Sequence, residues 1–179
     1  MAGFLRSLYL CYFSQPKSDR TLYKLLKKQP VRKFLELGIG VGERTLRVLE
    51  HCPGSDETSY TGIDLFEARQ NGDGPGLSLK EAHKLLSATG AKVRLVPGDP
   101  MSALSRSANA IGKQDLIVIS ADQDRESLAK AWFYVPRLLS DATQVFLEER
   151  REGVTTLRTV LHDEIATLAT PPSKGRRAA

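Results

Sequence analysis

The sequence holds two cysteines, three histidines and one tryptophan, and no apolar run long enough to cross a bilayer. Two cysteines, Cys11 and Cys52, make neither a zinc cluster nor a disulfide framework, which points to a reducing compartment and so to the cytoplasm. The N-terminal apolar run LYLCYF, residues 8–13, falls far short of the roughly 20 residues that span a membrane, and no small-residue cleavage site follows it. It reads as a short helix packed on the domain.

Charge of one sign is also missing from most of the chain. The net charge of +5 is located at the ends: residues 1–33 carry eight Lys or Arg against one Asp, and residues 171–179 carry three basic residues and no acid. The body between them has 20 acidic and 15 basic residues. A mildly acidic body does not make a dedicated nucleic-acid surface. With 179 residues, the chain suits one domain with one core.

What is present is a repeated strand–helix alternation. Residues 1–13 suggest a helix, and Ser18 or Asp19 caps a second one that Pro30 ends. Strands are predicted at 31–37, 60–65, near 91–99, 115–120 and 143–149. Helices fall between them, the fourth of these kinked or ended by Pro136, and residues 153–168 read as a closing helix. CPGSDETS, from Cys52, reads as a loop broken by Pro53 and Gly54. Short runs such as LIVI suit a parallel sheet covered on both faces. The expected architecture is a doubly wound, mostly parallel five-stranded α/β sheet of Rossmann-like, three-layer type. Residues 1–29 form N-terminal helices, 30–170 the α/β domain, and 171–179 a basic, Pro- and Gly-rich tail expected to be disordered.

Ligands of such sheets sit beyond the C-terminal strand ends, at the switch point. FLELGIGVGERTLRVLE, from Phe34 to Glu50, places Gly38, Gly40 and Gly42 there. Dinucleotides, phosphates and S-adenosylmethionine are all bound at turns of this kind. The dinucleotide fingerprint is G-x-G-x-x-G, and here the third glycine comes one residue early. Glu36 precedes the turn and Glu43 opens the helix after it, where a pyrophosphate would meet a like charge. A ligand with a sulfonium and an ammonium group would meet a favourable one. Asp64 ends the second strand, where a carboxylate can accept ribose hydroxyls, and Asp99 ends the third, within reach of an adenine amino group.

ELGIGVG, GID, VPGDP and DLIVISAD together resemble the class I S-adenosylmethionine-dependent methyltransferases over roughly residues 31–150. The resemblance implies S-adenosylmethionine as cofactor, with Glu36, Gly38, Gly40 and Gly42 at its methionine end, Asp64 at ribose and Asp99 at adenine. SADQDRE, residues 120–126, is similar to the acidic loop of small-molecule O-methyltransferases that bind a divalent metal. Ser120 departs from that pattern, and Asp122, Asp124, Glu148 and Glu149 read as solvated carboxylates, so no metal site is expected. Asp122 is the candidate general base, with His83 and His162 poorly placed. No Asn/Asp-Pro-Pro-aromatic loop follows the fourth strand and no Cys sits at a strand end, which disfavours base methylation. A small-molecule acceptor and O-methyl transfer are expected.

The family usually adds two strands after the fifth, the last antiparallel, and residues 150–179 read as one helix and a tail in their place. The acceptor wall is then expected from residues 1–29 or from the second subunit of a homodimer. The rival readings are a non-catalytic or degenerate relative that keeps the fold, and a NAD-dependent oxidoreductase. The latter is disfavoured by the glycine spacing, by Glu43 and by the lack of a Tyr-x-x-x-Lys pair.

Overall fold

The computed structural model describes residues 2–52 and 57–170, with side chains from residue 5 onward. The basic tail, residues 171–179, and the Pro53–Gly54 break lie outside the described residues.

Five strands run in parallel: β1 (Lys33–Leu37), β2 (Ser59–Asp64), β3 (Lys92–Pro97), β4 (Leu116–Ile119) and β5 (Gln144–Arg151). A sixth, β6 (Val154–Thr159), pairs antiparallel with β5 and completes the order β3-β2-β1-β4-β5-β6. The strand order, not the strand direction, reverses between β1 and β4, which opens a crevice at their C-terminal ends. Phe34 to Leu37 and all four residues of β4 are buried, as apolar runs in a doubly covered parallel sheet must be.

The side-chain period of two splits the core into layers. Phe34, Tyr60, Val118 and Phe146 face one layer with helices α1 (Ala2–Tyr12), α2 (Arg20–Lys28), α3 (Glu43–Leu49) and α4 (Leu79–Ser87). Leu35, Leu37, Ile63, Ile117 and Ile119 face the other, with α5 (Pro100–Ile111), α6 (Arg125–Ala131) and α7 (His162–Leu168). Local chemistry starts these helices. Ser78 and Glu81 form a reciprocal capping box on α4, and Asp124 accepts from the Ser127 amide at the start of α6. After α6 the chain tightens into a 3-10 segment, Trp132–Leu138, around Pro136, as the missing proline N–H requires.

Two expectations are overturned. Residues 153–168 are not one helix, and a strand does follow the fifth. Glu152 (φ 50°) and Gly153 (φ 78°) both take the left-handed conformation between the paired Arg151 and Val154, which makes a two-residue hairpin turn. The residues beyond it, VTTLRT, are dominated by β-branched side chains, which favour a pleated strand over a helix. A third correction concerns Asp19: its side chain makes no cap on α2 and instead accepts from Arg44.

Candidate functional site

The crevice between β1 and β4 widens into a cleft of about 320 Å³. Its floor is the turn after β1, in which Gly38, Gly40 and Gly42 take φ values of 89°, 58° and 79°. Gly38 is the tightest point. A Cβ added there would lie 2.3 Å from Nε2 of Gln123 and 2.7 Å from Cβ of Ser120, so only glycine lets the β4 loop close over the turn.

Glu36 lies beneath this turn, 1% exposed. Its Oε2 accepts hydrogen bonds from the Thr45 hydroxyl at 2.5 Å and the Tyr60 hydroxyl at 3.1 Å, while Oε1 is buried with no partner. Burial pushes its pKa up to about 7, against the pull of Arg44 and the two hydroxyls. A buried carboxylate with one unclaimed oxygen on the wall of a cleft is suited to a cationic ligand group.

Arg44, on the first turn of α3, holds the neighbouring acids in place. Its Nε donates to Asp19 at 3.1 Å and its Nη2 to Glu148. Burial opposes its charge, but Asp19, Glu36 and Glu148 more than offset that and raise its pKa above the usual arginine value. Asp19 itself is 1% exposed, and burial raises its pKa against Arg44. Through this cluster the N-terminal segment is tied to the cleft. Pro16 and Asp19 line it together with Arg150 and Thr155 of the β5–β6 hairpin.

Asp64 does two jobs within the protein. Oδ2 accepts from the amides of Ile39 at 2.7 Å and Gly40 at 3.0 Å, which pins the glycine turn to the end of β2. Oδ1 accepts from Nη2 of Arg69, a residue that borders both the main cleft and an adjoining hollow of about 190 Å³ lined by Asp64, Asp99, Asp122 and Gln123. Nε of Arg69 is buried without a partner. Asp99 caps α5: Oδ1 accepts from the amides of Met101 and Ser102 and from the Ser127 hydroxyl, and Oδ2 from the Ser102 hydroxyl. Burial would raise its pKa, but these donors hold it at about 2.

Asp122 faces both hollows, half-exposed and paired with Arg150 at 3.2 Å. The other loop acids have separate partners. Asp124 caps α6, Glu148 accepts from Arg44, Ser120 and the Ala121 amide, and Glu149 pairs with Arg158 and Arg151. His83 is exposed on α4, and His162 is bonded to the Thr143 carbonyl, away from the cleft. So Glu36, Gly38, Gly40 and Asp122 share the main cleft, while Gly42 packs against Leu77 and Leu85 outside its lining; Asp64 and Asp99 share the adjoining hollow, and Asp122 belongs to both. Sequence reasoning missed Arg69, Gln123, Thr45 and Tyr60. The one signal was GDGPG after Arg69, a glycine-rich stretch able to fold back on the turn, as the Leu77 amide does by donating to the Gly40 carbonyl at 3.1 Å.

Among solved structures, the chain is similar to the O-methyltransferase TomG from Streptomyces achromogenes, determined in complex with S-adenosylmethionine (13% identity, TM-score 0.57, covering 83% of this chain and 65% of that one). It is similar to a precorrin-6y C5,15-methyltransferase from Geobacter metallireducens (16%, TM-score 0.54, 79% and 65%). It is also similar to an S-adenosylmethionine-dependent methyltransferase from Clostridium acetobutylicum (21%, TM-score 0.54, 83% and 56%). The chain spans less than two thirds of the length of each. At these identities the likeness shows the fold, and that fold is the Rossmann-like, three-layer one of the methyltransferases. No family model matches the chain, and no curated protein matches it.

Proposed function

We propose that the protein binds S-adenosylmethionine in this cleft and transfers its methyl group to an oxygen of a small-molecule acceptor. The observation that carries the reading is the unclaimed Oε1 of Glu36, buried beside a turn of three left-handed glycines. An ammonium group is the ligand chemistry that such an oxygen satisfies best, since a charge-assisted hydrogen bond there replaces none already made. Glu43, 69% exposed at the N-terminus of α3, works against a pyrophosphate at the same place and so against NAD.

Glu36, Gly38, Gly40 and Gly42 would hold the methionine end, Asp64 the ribose and Asp99 the adenine. The cofactor supplies an electrophilic methyl group on a sulfonium. Everything else falls to the chain. Asp64 receives ribose hydroxyls on Oδ1 once Arg69 gives way, and keeps Oδ2 on the turn. Each carboxylate oxygen has about two acceptor positions, and Oδ2 of Asp99 holds only the Ser102 hydroxyl, which leaves one for an amino group. Asp122, half-exposed in the cleft and paired with Arg150, is placed to accept the proton of an acceptor hydroxyl. Pro16, Asp19 and Thr155 would form the acceptor side of the cleft, supplied by the N-terminal segment and β6. Free Cys11 and Cys52 are compatible with the cytoplasm. Among the described residues no helix is long and apolar enough to cross a membrane.

The prior engagement of Asp64 and Asp99 favours a second reading, a binding domain of this fold without turnover. Methyl transfer from isotopically labelled S-adenosylmethionine to a panel of hydroxyl-bearing small molecules separates the two. Label in a methyl ether supports the transferase, and cofactor binding with no label in any acceptor supports the second reading.

A further inference from the structure

The N-terminal helix presents a face that neither the core nor the cleft uses. Leu5, Tyr9, Tyr12 and Phe13 are 66%, 55%, 53% and 64% exposed, while Leu10 and Cys11 on the other side are buried. The exposed four fall at i, i+4, i+7 and i+8, a single stripe along α1 and its end. The Tyr9 and Phe13 rings stack with centroids 6.5 Å apart, so the stripe has a continuous aromatic end. A soluble surface seldom carries so many large apolar side chains side by side without a partner.

The charge beside the stripe indicates which partner. Lys24 of α2 places Nζ 5.1 Å from the Tyr12 ring centroid, and Lys17, Lys27 and Lys28 are exposed on the same helical hairpin. The single acid of residues 1–33, Asp19, is buried against Arg44. Among the described residues, Glu50 reaches the stripe from elsewhere and pairs with Arg6. Aromatic and leucine side chains flanked by lysines match an anionic bilayer surface, where rings enter the headgroup layer and lysines meet phosphates. A second copy of this chain fits poorly, because pairing the stripes would juxtapose two segments that each carry eight cations against one acid.

We infer that the α1–α2 hairpin docks the protein on anionic lipid surfaces through Leu5, Tyr9, Tyr12, Phe13 and the lysines beside them. The placement has a consequence for the cleft. Pro16, on its wall, follows Phe13 by three residues, at most about 10 Å of chain, so docking brings the mouth of the cleft close to the lipid headgroups. The inference does not depend on methyl transfer.

The test is co-sedimentation of the full chain with phosphatidylcholine vesicles, with and without phosphatidylserine. Binding is expected only with phosphatidylserine, and it should weaken as salt is raised. Tyr9→Ser with Phe13→Ser, and separately Lys24→Glu, should each lower the vesicle affinity by roughly tenfold. These positions are exposed, and an unchanged circular dichroism spectrum confirms that the variants fold. Equal binding to both vesicle types, or no binding to either, would overturn the inference. So would sedimentation showing a dimer that the Tyr9→Ser, Phe13→Ser variant dissociates.

Discussion

The Thr45 hydroxyl, on the helix after the glycine turn, donates a 2.5 Å hydrogen bond to Oε2 of Glu36, on the strand before it. The bond ties the two arms of the turn together and commits one oxygen of the carboxylate. The other is buried without a partner, on a residue that lines the cleft and whose pKa burial pushes up to about 7. Whether this carboxylate is charged decides both the stability of the fold and the ligand it takes.

Glu36 binds its proton more tightly folded than unfolded, since its pKa moves from 4.5 to about 7. Its contribution is therefore fully present below pH 4.5 and is lost as pH rises through 7. The whole effect is on the order of 3 kcal/mol. Glu36→Gln removes it. Relative to wild type, the variant should gain stability between pH 5 and pH 8 in denaturant titrations, and a pH-independent difference would contradict the assigned burial cost.

The same carboxylate makes cofactor affinity pH-dependent in the opposite sense. A ligand ammonium needs Glu36 ionised, so affinity should climb as pH rises through about 7 and fall once the ligand's own α-amino group loses its proton near 8. Calorimetry across this range tests the shape of the curve. In Glu36→Gln the rising limb should disappear and binding should weaken by about 1.5–3 kcal/mol, the worth of a hydrogen bond to a charged group.

Arg44 compensates acids that burial already disfavours. Arg44→Leu leaves Asp19 and Glu148 without their guanidinium partner, and breaking such a pair typically costs about 3–5 kcal/mol. The loss should be larger at pH 8 than at pH 5, because Asp19, its pKa already raised, can escape part of it by taking up a proton. A loss below about 1 kcal/mol, the level of a surface ion pair, would show the cluster to be solvated.

Arg69 and a ribose compete for Oδ1 of Asp64. Arg69→Gln should therefore tighten S-adenosylmethionine binding by about 1 kcal/mol, the net worth of one hydrogen bond, while lowering the melting temperature. Asp64→Ala should weaken binding by roughly 1–3 kcal/mol. Weaker binding in Arg69→Gln would make the arginine a ligand contact instead of a competitor.

Gly153→Val tests the hairpin. A β-branched residue held at φ 78° is strained by about 1–2 kcal/mol, which chemical denaturation resolves. A neutral substitution would argue against the turn that creates β6.

Much of this was legible in the residue order. The buried runs FLEL and LIVI, the glycines that follow the first of them and the helices between strands depend on local chemistry, and the parallel sheet follows from their alternation. Residues 153–168 misled because LRTVLHDEIATL carries helical spacing in its second half. The β-branched first half, with Glu152-Gly153 before it, was the stronger signal. Site partners distant in sequence could not be read at all. Nothing local says that Asp19 crosses to Arg44, that Glu148 arrives from β5, or that Gln123 closes over Gly38. For Asp99 the local rule was sufficient: an acid before Pro100 caps a helix, and that is where its bonds go.

The most direct measurement is parallel calorimetric titration of the purified protein with S-adenosylmethionine, S-adenosylhomocysteine and NAD. The account predicts micromolar binding of the first two, weakened in Glu36→Gln, and none for NAD. Binding of NAD alone, or of none of the three, would contradict it and leave the glycine turn an architectural feature.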